Sequence, residues 1–393
     1  MLFDEIERTE TRAKHERESS FLYLNSSARP PIAAARGVLE LWFEAYPDAG
    51  KADLRARLRS PIDAQHNAAF WELYLYELIS QLGFTLEPHP DIEGSSNHPD
   101  FLAKENEVPK FYLEAIVAGL PSAKVAGAEA RLAEVLDLVN KMQVGSWFLQ
   151  VEYQGSSDTQ PPVKELRNKL DQWLNSLDAE AIDAALKAED WDSLPRFEWQ
   201  HEGLTLAFTP SPRSPKSAAK PDSRPIGMIM GEPHQLNVDE DIRLAVVAKA
   251  KKDGKLSLPL VVAVNVLSEH CDKIDIDNAL FGTETVVFGE RPEGGRFARP
   301  GRRLPDGVWF GANGPRRRTV SSVLIGDRIN CYSCALRTPL LVHHPYPNHP
   351  LSLPSYPLPE SKPDETTQTM SKKEGVSASG ILRLPDPWPP NDD

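Results

Sequence analysis

Cysteine is scarce: the chain has 393 residues and three cysteines, Cys271, Cys331 and Cys334. A disulfide framework is therefore excluded as the source of stability, and a reducing compartment fits. No apolar run approaches the roughly 20 residues that cross a bilayer. Residues 1–11 are too charged for a secretory signal, so the expectation is a cytoplasmic protein with no membrane partner. Positive charge is also short, with 44 Lys and Arg against 57 Asp and Glu and a formal net charge of −13. That balance excludes indiscriminate attraction to phosphate polymers and confines any nucleic-acid contact to a local patch. Glycine is outnumbered by proline, 23 to 35, which points to long, stiff connections. No fixed-period repeat suggests a solenoid.

The remaining composition, 40% hydrophobic and 26% charged, is that of a globular protein long enough for one large core or two ordinary ones. Residues 13–19 are charged and aperiodic, which predicts a frayed leader; a helix follows over 31–45. Over 63–82 the apolar residues Phe70, Leu73, Tyr74, Tyr76, Leu78 and Ile79 recur at helical spacing up to Gly83, the pattern of one long amphipathic helix with a glycine stop. Short β-prone runs then occupy 84–87, 100–103 and 110–118, ahead of a helical stretch over 128–142 and a strand over 147–153. Further helix is expected over 163–188, a hairpin over 197–208 turning at Glu202-Gly203, a helix over 238–252 and a buried strand over 258–266. One or two later strands, near Trp309 and over 320–325, complete the reading.

These elements predict an α+β protein in an α/β/α arrangement, divided as an N-terminal helical leader over 1–60 and a core over 61–210. A loop over 211–225 leads to a second helix–strand part over 226–345 that packs on or extends the core. A proline-rich, mobile tail over 346–393 closes the chain.

The residue that most needs an explanation is Glu114, an acid inside the apolar run Phe111-Tyr112-Leu113-Glu114-Ala115-Ile116-Val117. Burying such a group without a partner is costly. Asp100, in His98-Pro99-Asp100-Phe101, lies on the preceding predicted strand. Paired strands sit roughly 4.8 Å apart, close enough for two carboxylates to converge on one ion. Glu72 on the long helix is a third candidate, with a surface charge as the plain alternative.

The helix carrying Trp71-Glu72-Leu73, the Pro99-Asp100 strand and the Tyr112-Leu113-Glu114 strand together resemble the PD-(D/E)XK nuclease superfamily. The resemblance implies a restriction-endonuclease-like core, a mixed central sheet flanked by helices with a loop-rich C-terminal extension. It implies Asp100 and Glu114 as ligands of Mg²⁺ (or Mn²⁺), with Glu72 assisting. It also implies DNA as a partner and homo-oligomers as an option, with no small-molecule cofactor. Such an ion prefers about six oxygen ligands, several of them water, and activates a water for attack on phosphorus. The motif departs at one place: Ile116 stands where the superfamily has lysine, a cation worth several kcal/mol to the transition state. Lys141, or the nearer Lys124, is the replacement from the following helix, and Lys249 and Lys251 are candidates on a later one. Gln143 and Gln150 flank the strand at Trp147 where some members contact substrate; ending a helix or capping an edge is the plain alternative.

Residues 260–265 and Asn278-Ala279-Leu280-Phe281-Gly282 are similar to a stretch of uncharacterised restriction-endonuclease-like bacterial proteins, which assigns no chemistry. Arg291, Arg296, Arg299, Arg302, Arg303, Arg316, Arg317 and Arg318 crowd one region with Phe297, Trp309 and Phe310 among them. Arg302, Arg303, Arg316, Arg317 and Arg318 are the nucleic-acid-binding candidates, and a solvated loop pairing with the protein's own acids is the alternative. Cys331 and Cys334 form a C-x-x-C pair followed by His343, His344 and His349, which leaves a zinc site as a third, weaker theme. Two functions stand side by side: a Mg²⁺-dependent DNA nuclease of restriction or phage-defence type, and a nuclease-like fold that has lost cleavage and binds nucleic acid or protein.

Overall fold

A computed structural model covers the chain and describes residues 1–92, 98–120, 123–144, 147–213, 224–231, 237–250, 256–268, 271–290, 295–352, 357–364 and 369–390. The helices in chain order are α1 (Ser20–Ser26), α2 (Pro30–Ala45), α3 (Asp48–Leu58), α4 (Asp63–Gln81), α5 (Ala123–Asn140), α6 (Val163–Leu174), α7 (Ala179–Lys187), α8 (Val238–Ala250), α9 (Lys273–Phe281) and α10 (Ala378–Leu382). The strands are β1 (Thr85–Pro88), β2 (Phe101–Glu105), β3 (Val108–Ala118), β4 (Trp147–Gln154), β5 (Phe197–His201), β6 (Leu204–Pro212), β7 (Ile226–Met230), β8 (Leu260–Val266), β9 (Glu284–Glu290), β10 (Arg296–Arg303), β11 (Phe310–Gly311), β12 (Gly314–Pro315), β13 (Val320–Asp327), β14 (Leu340–His343), β15 (Glu360–Asp364) and β16 (Thr369–Lys373). They form two compact units. Met1–Thr11, Ser19–Leu120 and Leu236–Asp393 make the first, and Arg12–Glu18 with Pro121–Gln235 make the second.

The first unit is a mixed eight-stranded sheet in the order β1-β2-β3-β8-β13-β14-β15-β16, with helices on both faces. β8 lies at its centre because every one of its residues is apolar or fully buried, and it runs parallel to both β3 and β13. A strand buried on both faces reads as a continuous hydrophobic run, and Leu260–Val266 is one. Side chains alternate between two cores. Leu113, Val261, Ala263, Leu324 and Leu341 enter the core built with α1, α2, α3 and α4. Tyr112, Leu260, Val262, Val264, Val323 and Val342 enter the one built with α8 and α9. In α4 the residues from Ala69 to Leu75 are all buried, and the Trp71 indole N–H donates to the Ala263 carbonyl at 3.0 Å. A buried indole needs such a partner, and this one ties α4 to the central strand.

The second unit is a four-stranded sheet, β5-β6-β4-β7, covered by α5, α6 and α7 around Val135, Leu149, Val151, Leu166, Leu170, Leu206 and Phe208. Its β5–β6 hairpin turns at Glu202, which takes φ 50°. The Glu202 carboxylate accepts from Ser157 Oγ at 2.7 Å and Thr159 Oγ1 at 2.7 Å. Those bonds hold its pKa down at about 2.

Four boundaries differ from the sequence reading. The expected core over 61–210 is split, because residues from 121 onward leave the first sheet and build their own. The part expected over 226–345 to pack on or extend the core does join the first sheet, through β8 and β13 next to β3, but its first strand, β7, belongs to the second unit's sheet. Residues 1–60 are not a leader: Leu2, Phe21, Leu24, Leu39, Trp42, Phe43 and Leu54 lie in the core, while 13–19 are held where Asp137 accepts the Glu16 and Arg17 amides at 2.9 and 3.0 Å. The tail expected over 346–393 adds β15 and β16 to the sheet and α10 to the core. Its few apolar residues are large and well placed: Leu358, Ile381, Leu382 and Trp388 are buried, and the Trp388 N–H donates to the Cys331 carbonyl at 2.9 Å. The loop expected over 211–225 falls mostly outside the described residues. Among the described residues no helix is long and apolar enough to cross a membrane.

Candidate active site

β2 and β3 pair antiparallel with Phe101 opposite Leu113, so Asp100, one residue ahead of β2, falls opposite Glu114. Alternation sends both acids to the α8 face, since Phe101 and Leu113 occupy the other core. Asp100 Oδ2 accepts the Ala115 amide at 2.6 Å, which fixes the carboxylate against β3.

The cation comes from α8. Its buried positions are Val238, Ile242, Ala245, Val246 and Lys249, a helical stripe that a lysine continues by one turn. The stem lies along the apolar face and carries the ammonium to the acids. Lys249 Nζ donates to Asp100 Oδ2 at 3.0 Å and to Glu114 Oε2. The side chains are 11% exposed for Lys249, 22% for Asp100 and 2% for Glu114, so one edge of the cluster, on the Asp100 side, meets solvent. Burial pulls the Lys249 pKa down, and the charges of Asp100 and Glu114 more than reverse it, leaving the ammonium above its ordinary value. Ile116, half-buried, adds an apolar wall on the same face.

Two hard oxygen donors fit a magnesium ion that keeps several waters and takes a substrate oxygen. Asp100 and Glu114 would hold it. A closed protein cage is not present: among the described residues no group of three or more His, Cys, Asp or Glu side chains is arranged to hold a metal.

Glu72 does not join the pair. It lies in α4, on the opposite face of the sheet, where Tyr46 Oη donates to Oε1 at 2.7 Å and Arg57 Nη1 to Oε2 at 2.8 Å. Burial and then the Glu72 charge push the Tyr46 hydroxyl well above its ordinary pKa, and Arg57 is raised by its bond to Glu72 against the pull of burial. Lys141 follows α5 in the second unit, beside a cavity lined by Gln143, Arg167 and Asp171. Lys124 is exposed and 3.9 Å from Asp158. Gln150 bonds Glu152 within β4. Lys251 and Arg291 lie outside the described residues.

Among the arginine candidates, Arg303 donates to the Gly282 carbonyl, Arg316 to Gly307, Arg317 to Val308 and Arg318 to Tyr346. These four brace loops through backbone oxygens. Arg302 is exposed on β10. Cys331 and Cys334 are buried in the α4-side core, where desolvation pushes both thiols up, Cys334 to about 12. Protonated thiols are poor ligands. His343 instead bonds Ser322 Oγ at 3.0 Å and Glu360 at 3.3 Å, and His344 the Arg316 carbonyl at 3.0 Å.

The sequence missed Tyr46 and Arg57 as the partners of Glu72. It named Lys249 only as one lysine among several, though its place on the apolar stripe of its helix sets it apart. No protein-family model, curated protein or solved structure matches the chain.

Proposed function

We propose that the chain is a Mg²⁺- or Mn²⁺-dependent phosphodiesterase that cuts DNA, with Asp100 and Glu114 as the metal-holding acids and Lys249 as the cation that Ile116 does not supply. The observation that carries this reading is the joint grip of the Lys249 ammonium on both carboxylates. The element order supports it. α4, β1, β2 and β3 are followed, once the second unit is passed, by α8 and β8 beside β3, so α8 is the helix that follows the Glu114 strand within the first sheet. The lysine that the resemblance seeks on the following helix is then Lys249.

A bound divalent ion would supply Lewis-acid polarisation of a phosphoryl oxygen and a water of lowered pKa. Asp100, fixed by the Ala115 amide, orients the acid pair. Lys249, held in its charged form, offsets negative charge that develops on phosphorus, a contribution on the order of several kcal/mol in such sites. The 22% exposure of Asp100 gives the cluster its opening to solvent.

A second reading keeps a specific observation in its favour. The ammonium engages both acids directly, so the triad also fits a fixed ion cluster in a nuclease-like protein that binds without cutting. The test is a plasmid and oligonucleotide panel with Mg²⁺ and Mn²⁺, wild type against Glu114→Gln. Cleavage lost in the variant supports the enzyme; matching traces support the inactive fold.

A further inference from the structure

We propose that the β9–β10 ribbon is an arm that enters the major groove of duplex DNA. It rests on the phosphodiesterase reading for its choice of polyanion, while the surface itself stands on separate residues. Among the described residues, β9 and β10 pair with each other and with no other strand. Val286 is 53% exposed and Phe288 77%, and Arg296, Arg299, Arg302 and Arg303 are exposed on β10. Four arginines face two acids, Glu284 and Glu290, across the ribbon, in a chain that is acidic as a whole. Among the described residues no carboxylate pairs with Arg296, Arg299 or Arg302. The register sets Arg299 opposite Val287 and Ala298 opposite the exposed Phe288, so cationic and apolar groups lie along both faces. Charge complementarity therefore selects a polyanion, and the ribbon form selects its shape. The B-form major groove, roughly 12 Å wide, admits a two-stranded ribbon, whereas the A-form major groove is too narrow.

The arm is held stiffly at its foot. The Leu304 amide donates to the Thr283 carbonyl at 2.8 Å, and the Thr283 amide and hydroxyl donate to Asp306, each at 2.8 Å. Gly282, at φ +103°, has no room for a side chain: a Cβ there would come within 2.0 Å of the Leu304 carbonyl oxygen. Arg303 donates to the Gly282 carbonyl at 2.6 Å, so its guanidinium braces the foot while Arg296, Arg299 and Arg302 face outward. A pre-set arm loses little conformational entropy on docking.

Fluorescence anisotropy with a labelled duplex of about 30 base pairs, in chelator so that no metal-dependent cutting intervenes, tests this on the full chain. Arg299→Glu combined with Arg302→Glu is expected to weaken binding at least tenfold and to make the salt dependence shallower by about two phosphate contacts. Phe288→Ser weakens it less, and Lys164→Glu, a charge reversal on α6, leaves it unchanged. An equally tight wild-type complex with duplex RNA, no wild-type binding to DNA, or a ribbon variant that binds like Lys164→Glu overturns the proposal. So does a Phe288→Ser effect confined to oligomeric state. Ribbon-dependent binding by a protein that never cuts removes the phosphodiesterase and keeps the arm; cutting that survives the ribbon variants does the reverse.

Discussion

The two faces of the large sheet each bury a glutamate with a basic partner, and the two clusters are built differently. On the α4 face both oxygens of Glu72 are taken, by the Tyr46 hydroxyl and the Arg57 guanidinium. Arg57 itself is shared with Asp53 at 2.7 Å. The donors there are a phenol and a planar fork, groups of fixed geometry. On the α8 face two acids share one ammonium at the end of a flexible stem, and Asp100 reaches solvent. The first arrangement is a structural knot. The second has a cation able to give way to another.

The comparison is broken most strongly by removing each cation. Arg57→Ala strands Glu72 in the core, and a buried pair broken on one side costs about 3–5 kcal/mol; urea unfolding should show a loss of that size that added Mg²⁺ does not repair. Lys249→Met should cost a comparable amount, about 3–5 kcal/mol, because it leaves Glu114, 2% exposed, beside a second carboxylate without the shared ammonium. Here millimolar Mg²⁺ should raise the melting temperature more in the variant than in wild type, by binding the freed acids. A variant that Mg²⁺ leaves unmoved contradicts the contrast between the two faces.

A pH series sharpens it further. The Lys249 pKa is raised in the fold from an ordinary 10.5, so its stabilisation is fully present below that ordinary value and is lost as pH rises through the higher folded one. The stability gap between wild type and Lys249→Met should therefore stay level through neutral pH and close only in strong alkali. The smallest effect belongs to the exposed Glu202. Its carboxylate pKa is lowered from 4.5 to about 2, so its contribution is present above 4.5 and lost as pH falls toward 2. Glu202→Gln should melt slightly below wild type at pH 7 and together with it near pH 2.

Local signals carried much of the layout. The long helix over Phe70 to Ile79, the Pro99-Asp100 and Glu114 strands and the apolar run of β8 all state their structure in spacing alone. The acid pair was legible for the same reason, an acid standing inside an apolar strand. What spacing does not show is an insertion. The second unit interrupts the first between β3 and α8, so the helix nearest in sequence after Glu114 is α5, and Lys141 took the place that Lys249 holds in space. Glu72 was misplaced because an acid at a buried helix position looks the same from sequence whether it meets a metal or an arginine 15 residues earlier. The folded tail was hidden by prolines: Leu358, Ile381, Leu382 and Trp388 are too sparse to show a period, yet each fills the core.

Lys249 stands as the proposed cation of a cleaving site. Cleavage of labelled duplex DNA in Mg²⁺ and in Mn²⁺ by wild type, Lys249→Met and Lys141→Met tests it most directly. Wild type and Lys141→Met should cut, with Lys249→Met slower by about 100-fold or more, as loss of electrostatic support of this kind brings. Wild type and Lys249→Met cutting at the same rate, or no cutting by wild type in either metal, contradicts it.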